Sequence, residues 1–185
     1  KVPLTASFFC PFNMKHLQIY TQKDILQFTR KSSNETKFGE EVSVITDEKK
    51  WEQELLASTC RFVLLGIPED IGVRANYGRG GAHTAWKPAL ESFLSQQSNE
   101  FLNASQCLVL GHVYVADLME RSNELVSKTK ADIESLRNLV AEVDKRVTDV
   151  VGKIIKANKI PIVIGGGHNN SYPIIKGCSE ALSKK

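Results

Sequence analysis

The alternation of apolar and polar positions is clearest in the second half of the chain. Three short apolar runs, Arg61–Gly66, Gln106–Val113 and Ile160–Gly166, are separated by polar or glycine-rich segments. Continuous apolar runs of this length are typical of strands that are buried on both faces of a parallel sheet. The pattern therefore predicts three buried strands.

Between these runs, apolar residues recur every three or four positions, which is the spacing of an amphipathic helix. The pattern is strongest from Ala131 to Asn158 and weaker over Lys87–Gln97, where Pro88 stands near the first turn. A last helix is predicted over Ser171–Leu182. Strands that alternate with helices in this order predict an α/β fold with a parallel sheet and crossover helices.

The first sixty residues have a less regular pattern. His16–Thr21 and Glu41–Thr46 are predicted as short strands, and Arg30–Glu41 as a loop. Asp47–Thr59 has the spacing of a short helix, with Asp47 as its N-cap. We therefore divide the chain into an N-terminal extension, residues 1–60, and the N-terminal part of an α/β domain, residues 61–185.

Composition narrows the class of protein. The 185 residues are 42% hydrophobic and 24% charged, with a net charge of +3, which is typical of a globular protein and not of a nucleic-acid surface. No apolar run approaches the ~20 residues of a membrane helix. Cys10, Cys60, Cys107 and Cys178 are scattered, which favours a reduced, cytoplasmic protein. We expect neither nucleic acid nor a membrane as a partner.

The third predicted strand runs directly into Gly165–Asn170, with the sequence Gly-Gly-Gly-His-Asn-Asn. Parallel sheets bind ligands at the carboxyl ends of their strands. Two phosphate motifs fail here, because Asn170 replaces the third glycine of a dinucleotide fingerprint and His168-Asn169 replaces the Lys-Ser/Thr of a P-loop. An imidazole at a strand end suits a metal ligand or a proton carrier, but it also suits a turn cap.

A metal site would need more ligands than His168. His112 follows the second predicted strand, His83 lies in the glycine-rich loop after the first, and His16 has no context that suggests a role. For His112, packing at the strand end is favoured over a role as a ligand. The residues alone therefore leave the function open.

Two segments together resemble the ureohydrolase family, which comprises arginases, agmatinases and formimidoylglutamases. In Gly66–Leu90, a Gly-x-Pro-x-Asp-x-Gly pattern is followed by Asn-x-Gly-Arg-x-Gly-Ala and a proline-led helix. Val163–Tyr172 resembles the first metal motif of the family, Gly-Gly-x-His. The resemblance covers residues 62–177. Glycine at position 167, where arginases usually carry aspartate, makes it closest to the formimidoylglutamase branch.

The resemblance implies a three-layer α/β/α fold with a mainly parallel sheet. It implies hydrolysis of a C–N bond in a linear amidine, with a formimidoylglutamate-like or guanidino substrate and two manganese ions that share a hydroxide. His168 would be a manganese ligand, Asn76 and Arg79 would contact the substrate, and Asn169 would orient His168. The residues themselves favour other roles: Asp70, Asn76 and Arg79 would stabilise their own loop, and Asn169 would cap the following helix. A homo-oligomer is expected.

The other ligands of the family come from Asp-x-His-x-Asp and Asp-x-Asp motifs, and neither motif follows His168. We therefore expect this chain to be the N-terminal half of a ureohydrolase, inactive by itself, with an open sheet edge and uncovered apolar surface at its last strand and helix. Two alternatives stay open: a non-catalytic ureohydrolase-like domain with a structural or regulatory role, and an unrelated α/β protein that binds an anion at Gly165–Asn170.

Overall fold

The computed structural model describes residues 16–126 and 129–183. In chain order, the strands and helices are β1 (Leu17–Ile19), α1 (Gln22–Phe28), α2 (Phe38–Glu41), α3 (Trp51–Ala57), β2 (Phe62–Ile67), α4 (Ile71–Ala75), α5 (Trp86–Leu94), β3 (Cys107–Val113), α6 (Ala116–Asn123), α7 (Lys130–Lys156), β4 (Ile160–Gly165) and α8 (Ser171–Leu182). Short 3₁₀ turns cover Glu48–Lys50, Ala82–Ala85, Ala104–Gln106 and His168–Asn170.

The four strands form one sheet in the order β1-β3-β2-β4. β2 pairs in parallel with β3 on one side and with β4 on the other, so that Gly66 lies opposite both His112 and Ile164. β1 pairs antiparallel with β3 and forms the edge strand on that side of the sheet. The three buried strands and their parallel arrangement are therefore confirmed.

Helices cover both faces of the sheet, as a three-layer α/β fold requires. One face packs against α3, α4, α6 and α7 in a core that includes Trp51, Val63, Leu65, Leu110 and Val147. The other face packs against α1, α2 and α5, with Ile25, Phe38, Leu64, Leu90 and Val109 in the core. The predicted α/β fold class is confirmed.

The predicted helices of the second half are confirmed with small changes at their ends. α7 runs from Lys130 to Lys156, where residues 131–158 were predicted, and its N-cap is Thr129, whose hydroxyl accepts from the Asp132 N–H. α8 has the predicted bounds. Asp47 caps a 3₁₀ turn that leads into α3, because its carboxylate accepts from the Lys49 N–H. Capping and apolar spacing were therefore reliable guides here.

The prediction for Glu41–Thr46 is wrong, because this segment is not a strand. Only Ser43 makes a bridge, to Leu108, and β1 occupies the rest of this edge of β3. Val42 and Ile45 are both buried but lie in different cores, so the segment crosses the edge of the sheet between its two faces. The helices α1 and α2 were not predicted, and the predicted loop Arg30–Glu41 contains α2.

β4 forms an edge of the sheet within the described residues. Ile160 is 44% exposed and Ile162 is 38% exposed on this strand, and Ile175 of α8 is 68% exposed. The expectation of an uncovered apolar surface at the last strand and helix is therefore confirmed for the described chain. In residues 16–126 and 129–183, no helix is long and apolar enough to cross a membrane.

Candidate functional site

Two segments meet where β2 and β4 end side by side. The loop of residues 68–85 follows β2, and the turn of residues 166–170 follows β4. The Gly166 N–H donates to the Ile67 carbonyl at 2.8 Å, which extends the pairing of the two strands by one residue. In a parallel sheet this carboxyl edge is where ligands bind. The loop of residues 68–85 and the turn of residues 166–170 therefore lie at the edge of the sheet where a ligand site is predicted.

Glu69 connects the two segments through its side chain, which is fully buried. Its Oε1 atom accepts from the Gly167 N–H at 3.1 Å, from Asn169 Nδ2 at 3.3 Å and from Asn170 Nδ2 at 2.7 Å. Its Oε2 atom accepts from the Gly72 N–H at 3.3 Å. A buried carboxylate is tolerated where several N–H groups replace its hydration, and Glu69 has four such donors.

The glycines of the turn are required by close approach to this loop. A Cβ atom on Gly166 would lie 1.5 Å from the Glu69 carbonyl oxygen, and a Cβ atom on Gly72 would lie 2.1 Å from Asn169 Cγ. Only glycine fits at distances this short from a backbone oxygen or a side-chain carbon. The glycine run after β4 therefore allows the turn to pack directly against Glu69.

Asp70 is the next residue and is 3% exposed. Its carboxylate accepts from Arg74 Nε at 2.9 Å, from the Gly81 N–H at 2.7 Å and from His83 Nδ1 at 2.6 Å. Burial raises the pKa of Asp70, but the hydrogen bonds from Gly81 and His83 and the charge of Arg74 outweigh burial and lower that pKa overall. Asp70 therefore braces its own loop.

Arg74, which donates to Asp70, also donates to helix α6. Arg74 Nη1 donates to the Ser122 carbonyl at 2.9 Å, and Arg74 Nη2 donates to the Ser122 hydroxyl. Ser122 is fully buried at this contact. The short helix α4, which was not predicted inside the glycine-rich loop, is held between Asp70 and α6 by this arginine.

His168 begins the 3₁₀ turn after β4 and is exposed. It lines an open cavity of about 320 Å³ together with Ile67, Val163, Ile174 and the glycines of the turn. Within the described residues, its imidazole has no hydrogen bond or ion pair. The ring is therefore available to a ligand at the carboxyl edge of the sheet.

The other predicted site residues lie around this turn and loop. Asn76 ends α4 and Arg79 follows in the loop, and both are exposed. Neither lines the cavity beside His168. Asn169 packs on Gly72 and donates to Glu69, so its amide holds the turn and has no hydrogen bond to the His168 ring.

The remaining histidines lie elsewhere. His112 Nδ1 is 2.9 Å from the Tyr20 hydroxyl, which accepts from Trp86 Nε1 at 3.0 Å. Burial lowers the pKa of His112 to about 4, so the ring is neutral, and its Nδ1 atom shares one hydrogen bond with the Tyr20 hydroxyl. His83 is engaged with Asp70. Neither ring lines the cavity at His168.

Three polar residues near the turn, each with a buried side-chain atom, were not predicted as site residues: Glu69, Asn170 and Asp144. Asn170 is 4% exposed, and its Oδ1 atom has no partner in the described chain. The buried Oδ1 of Asp144 on α7 also has none. Burial and the nearby charge of Glu69 raise the pKa of Asp144 to about 6, although Lys176 opposes them. The sequence did contain one signal for Glu69, because the acidic pair Glu69-Asp70 follows the buried strand β2 after a single proline.

A complete metal centre is not formed by the described residues. In residues 16–126 and 129–183, no three His, Cys, Asp or Glu side chains are grouped to hold an ion. A binuclear manganese site needs several such ligands. The described residues therefore fit one ligand of such a site, His168, and do not fit the whole site.

The fold and this edge define an α/β protein with a ligand-accessible histidine at the carboxyl end of a parallel strand. Residues 60–185 match the family model described as "Arginase family", so the chain belongs to the arginase family. This is a family of metal-dependent hydrolases of the ureohydrolase type, generally with two manganese ions. No curated protein and no solved structure is significantly similar to the chain.

Proposed function

We propose that this chain contributes His168 as one manganese ligand to a binuclear hydrolase that cleaves a C–N bond of a linear amidine. The observation that carries the proposal is the position of this imidazole. It is exposed, has no partner among the described residues and lines a cavity at the carboxyl end of β4 in a chain of the arginase family. The formimidoylglutamate-like substrate is proposed from Gly167 and the long loop after β2.

The substrate would be held from the loop side. Arg79 is exposed, and its guanidinium suits a bidentate grip on a substrate carboxylate. Asn76 ends the neighbouring helix α4 and would donate from its amide. Asn169 would keep His168 in place through its bond to Glu69. We further propose a cytoplasmic homo-oligomer as the working form.

The test uses the natural protein. We expect two manganese ions per chain by elemental analysis, with release of formamide from formimidoylglutamate or of urea from a guanidino substrate. His168→Gln should lower the manganese content and abolish turnover. His83→Gln removes an imidazole that does not line the cavity and should leave the manganese content unchanged.

Two results would overturn the proposal. Equal manganese content in the wild type and in His168→Gln would remove His168 from the ligand set. A protein that holds no manganese and releases neither formamide nor urea would favour the alternative, a non-catalytic ureohydrolase-like domain with a structural or regulatory role.

A further inference from the structure

We propose that Glu69 is the positioning residue of His168, acting through the turn that carries the imidazole. This inference deepens the proposed function and rests on it for its biological purpose. The contacts that carry it involve only residues described above. Glu69 does not touch the His168 ring, so the effect is transmitted by the backbone on both sides of that residue.

The Glu69 carboxylate accepts hydrogen bonds from residues of the turn on both sides of His168. Before it, the Gly167 N–H donates to Glu69 Oε1 at 3.1 Å, and after it, Asn169 and Asn170 donate to the same oxygen at 3.3 and 2.7 Å. These partners are about one hundred positions apart in the chain, so the bonds are tertiary contacts. A turn tied at both ends has few ways to reorient the residue between them.

The packing of Glu69 reinforces this grip. Its side chain is 0% exposed, and Gly166 lies so close that a Cβ atom there would overlap the Glu69 carbonyl oxygen. The helices around it supply no cation to the carboxylate within the described residues, and only N–H donors of amides bind it. Hydrogen-bond geometry, and not charge pairing, therefore holds the turn.

This geometry predicts a specific order among Glu69 variants. Three of the four donors share Oε1, and only the Gly72 N–H, at 3.3 Å, uses Oε2. A glutamine can present its one oxygen to those three donors and gives up only the Gly72 bond. An aspartate is one methylene too short to reach them. We expect Glu69→Gln to retain the turn, and Glu69→Asp and Glu69→Ala to release it.

The experiment measures amide hydrogen exchange and backbone couplings by NMR on the natural protein without metal. Exchange at Gly167 should be about tenfold faster in Glu69→Ala and Glu69→Asp relative to the slowest amides of α7, and within about twofold of wild type in Glu69→Gln. The HN–Hα coupling of His168 should stay at its wild-type value in Glu69→Gln and change in Glu69→Asp. If Glu69→Ala does not fold, the aspartate and glutamine variants carry the test.

Asp117→Ala is the matched control for general destabilisation. It removes a carboxylate that binds Arg146 through two 2.6 Å bonds between α6 and α7, away from the turn. It should leave the relative exchange of Gly167 unchanged. The proposal is overturned if Asp117→Ala releases Gly167 as much as Glu69→Asp does, or if Glu69→Asp leaves both readouts at wild-type values.

This test and that of the proposed function fail independently. The exchange and coupling data are collected without metal, so a wild type that binds no manganese would not alter them. Conversely, a full manganese complement in the wild-type protein would not rescue the positioning role if the variants leave the turn intact.

Discussion

Glu69 and Asp70 are neighbours in the chain and both are buried, yet they bind different kinds of partner. Glu69 accepts from backbone and side-chain amides of the turn after β4 and of Gly72. Asp70 accepts from Arg74, His83 and the Gly81 N–H of its own loop. One acid thus connects two segments through neutral amide donors, while the other stabilises its own loop through a cation, Arg74, together with His83 and the Gly81 N–H.

The two acids differ in whether the position of an oxygen atom or a negative charge is what stabilises the fold. Neutral donors need an oxygen in the right place, so a neutral glutamine can replace Glu69. Charged partners need an anion, because removing it leaves a cation buried without compensation. Two adjacent acids with similar burial should therefore respond differently to removal of their charge. Substitutions at and around these two acids test this difference.

The largest effect is expected for Asp70→Ala. Arg74 is only 19% exposed at its side chain and would lose its anionic partner, so the free energy of unfolding should fall by about 3 kcal/mol at pH 7. Urea unfolding measures this. Asp70→Asn keeps the shape and removes the charge, and it should lose most of the same stability. A loss below about 0.5 kcal/mol in both variants would contradict the charge argument.

The same acid sets a pH dependence. The pKa of Asp70 is lowered from its ordinary value of 3.8, so the folded protein holds this carboxylate ionised where the unfolded chain begins to protonate it. Its stabilisation is therefore present above about pH 4 and is lost as the pH falls through the folded pKa. The difference between wild type and Asp70→Asn should shrink below that pH.

Gly166→Ala should have the next largest effect, on the Glu69 side of the comparison. The added Cβ atom would lie 1.5 Å from the Glu69 carbonyl oxygen, and relieving that overlap should cost about 2 kcal/mol of unfolding free energy. Gly152→Ala, within helix α7, is the matched control. The added Cβ atom would meet only the carbonyl oxygen of Gly177 in α8, at 3.6 Å, which is ordinary van der Waals contact. That control should be neutral or stabilising. Equal losses in the two variants would contradict the close approach.

Asp144→Asn should raise stability at high pH. Burial first, and the charge of Glu69 second, raise the pKa of Asp144 to about 6, so the folded state holds its proton more tightly than the unfolded chain does. Stability from this group is therefore complete below about pH 4 and is lost as the pH rises through 6. The variant avoids that loss and should gain about 1 kcal/mol at pH 8 and little at pH 4.

Two controls accompany this measurement. Asp149→Asn on the same helix removes a partner of Lys153 at 3.0 Å and should not stabilise the protein at pH 8. Glu69→Gln removes the neighbouring charge and should lower the pKa of Asp144, which the carboxyl ¹³C shift reports. An Asp144 pKa that is unchanged in Glu69→Gln would show that the two acids are not coupled.

The smallest effect is expected for Arg121→Ala. This arginine pairs with Glu142 at 3.2 Å, but the two side chains are 57% and 41% exposed. Exposed ion pairs contribute little, so the unfolding free energy should fall by about 0.5 kcal/mol or less. The contrast with Asp70→Ala compares ion pairs of similar length in different environments. A loss as large as that of Asp70→Ala would contradict the role given to burial.

Local patterns along the chain were sufficient for much of the fold. The three apolar runs became β2, β3 and β4, and the regular apolar spacing of residues 131–158 became α7. These elements are long or strongly periodic, so local preference and burial agree. The helices α2 and α4 have only four and five residues, too few for a helical period to be recognised. The Thr21–Asp24 capping box was the one available signal for α1.

Neighbouring residues in the chain were enough to predict the α/β class, the place of the turn after β4 and the presence of His168 in that turn. Tertiary structure alone decided that Glu69 binds this turn while Asp70 turns back into its own loop. The contacts of Glu69 with the turn join residues about one hundred positions apart, and they exist only once parallel pairing brings the ends of β2 and β4 together. Burial then gives each hydrogen bond its importance, since water no longer competes for the same donors.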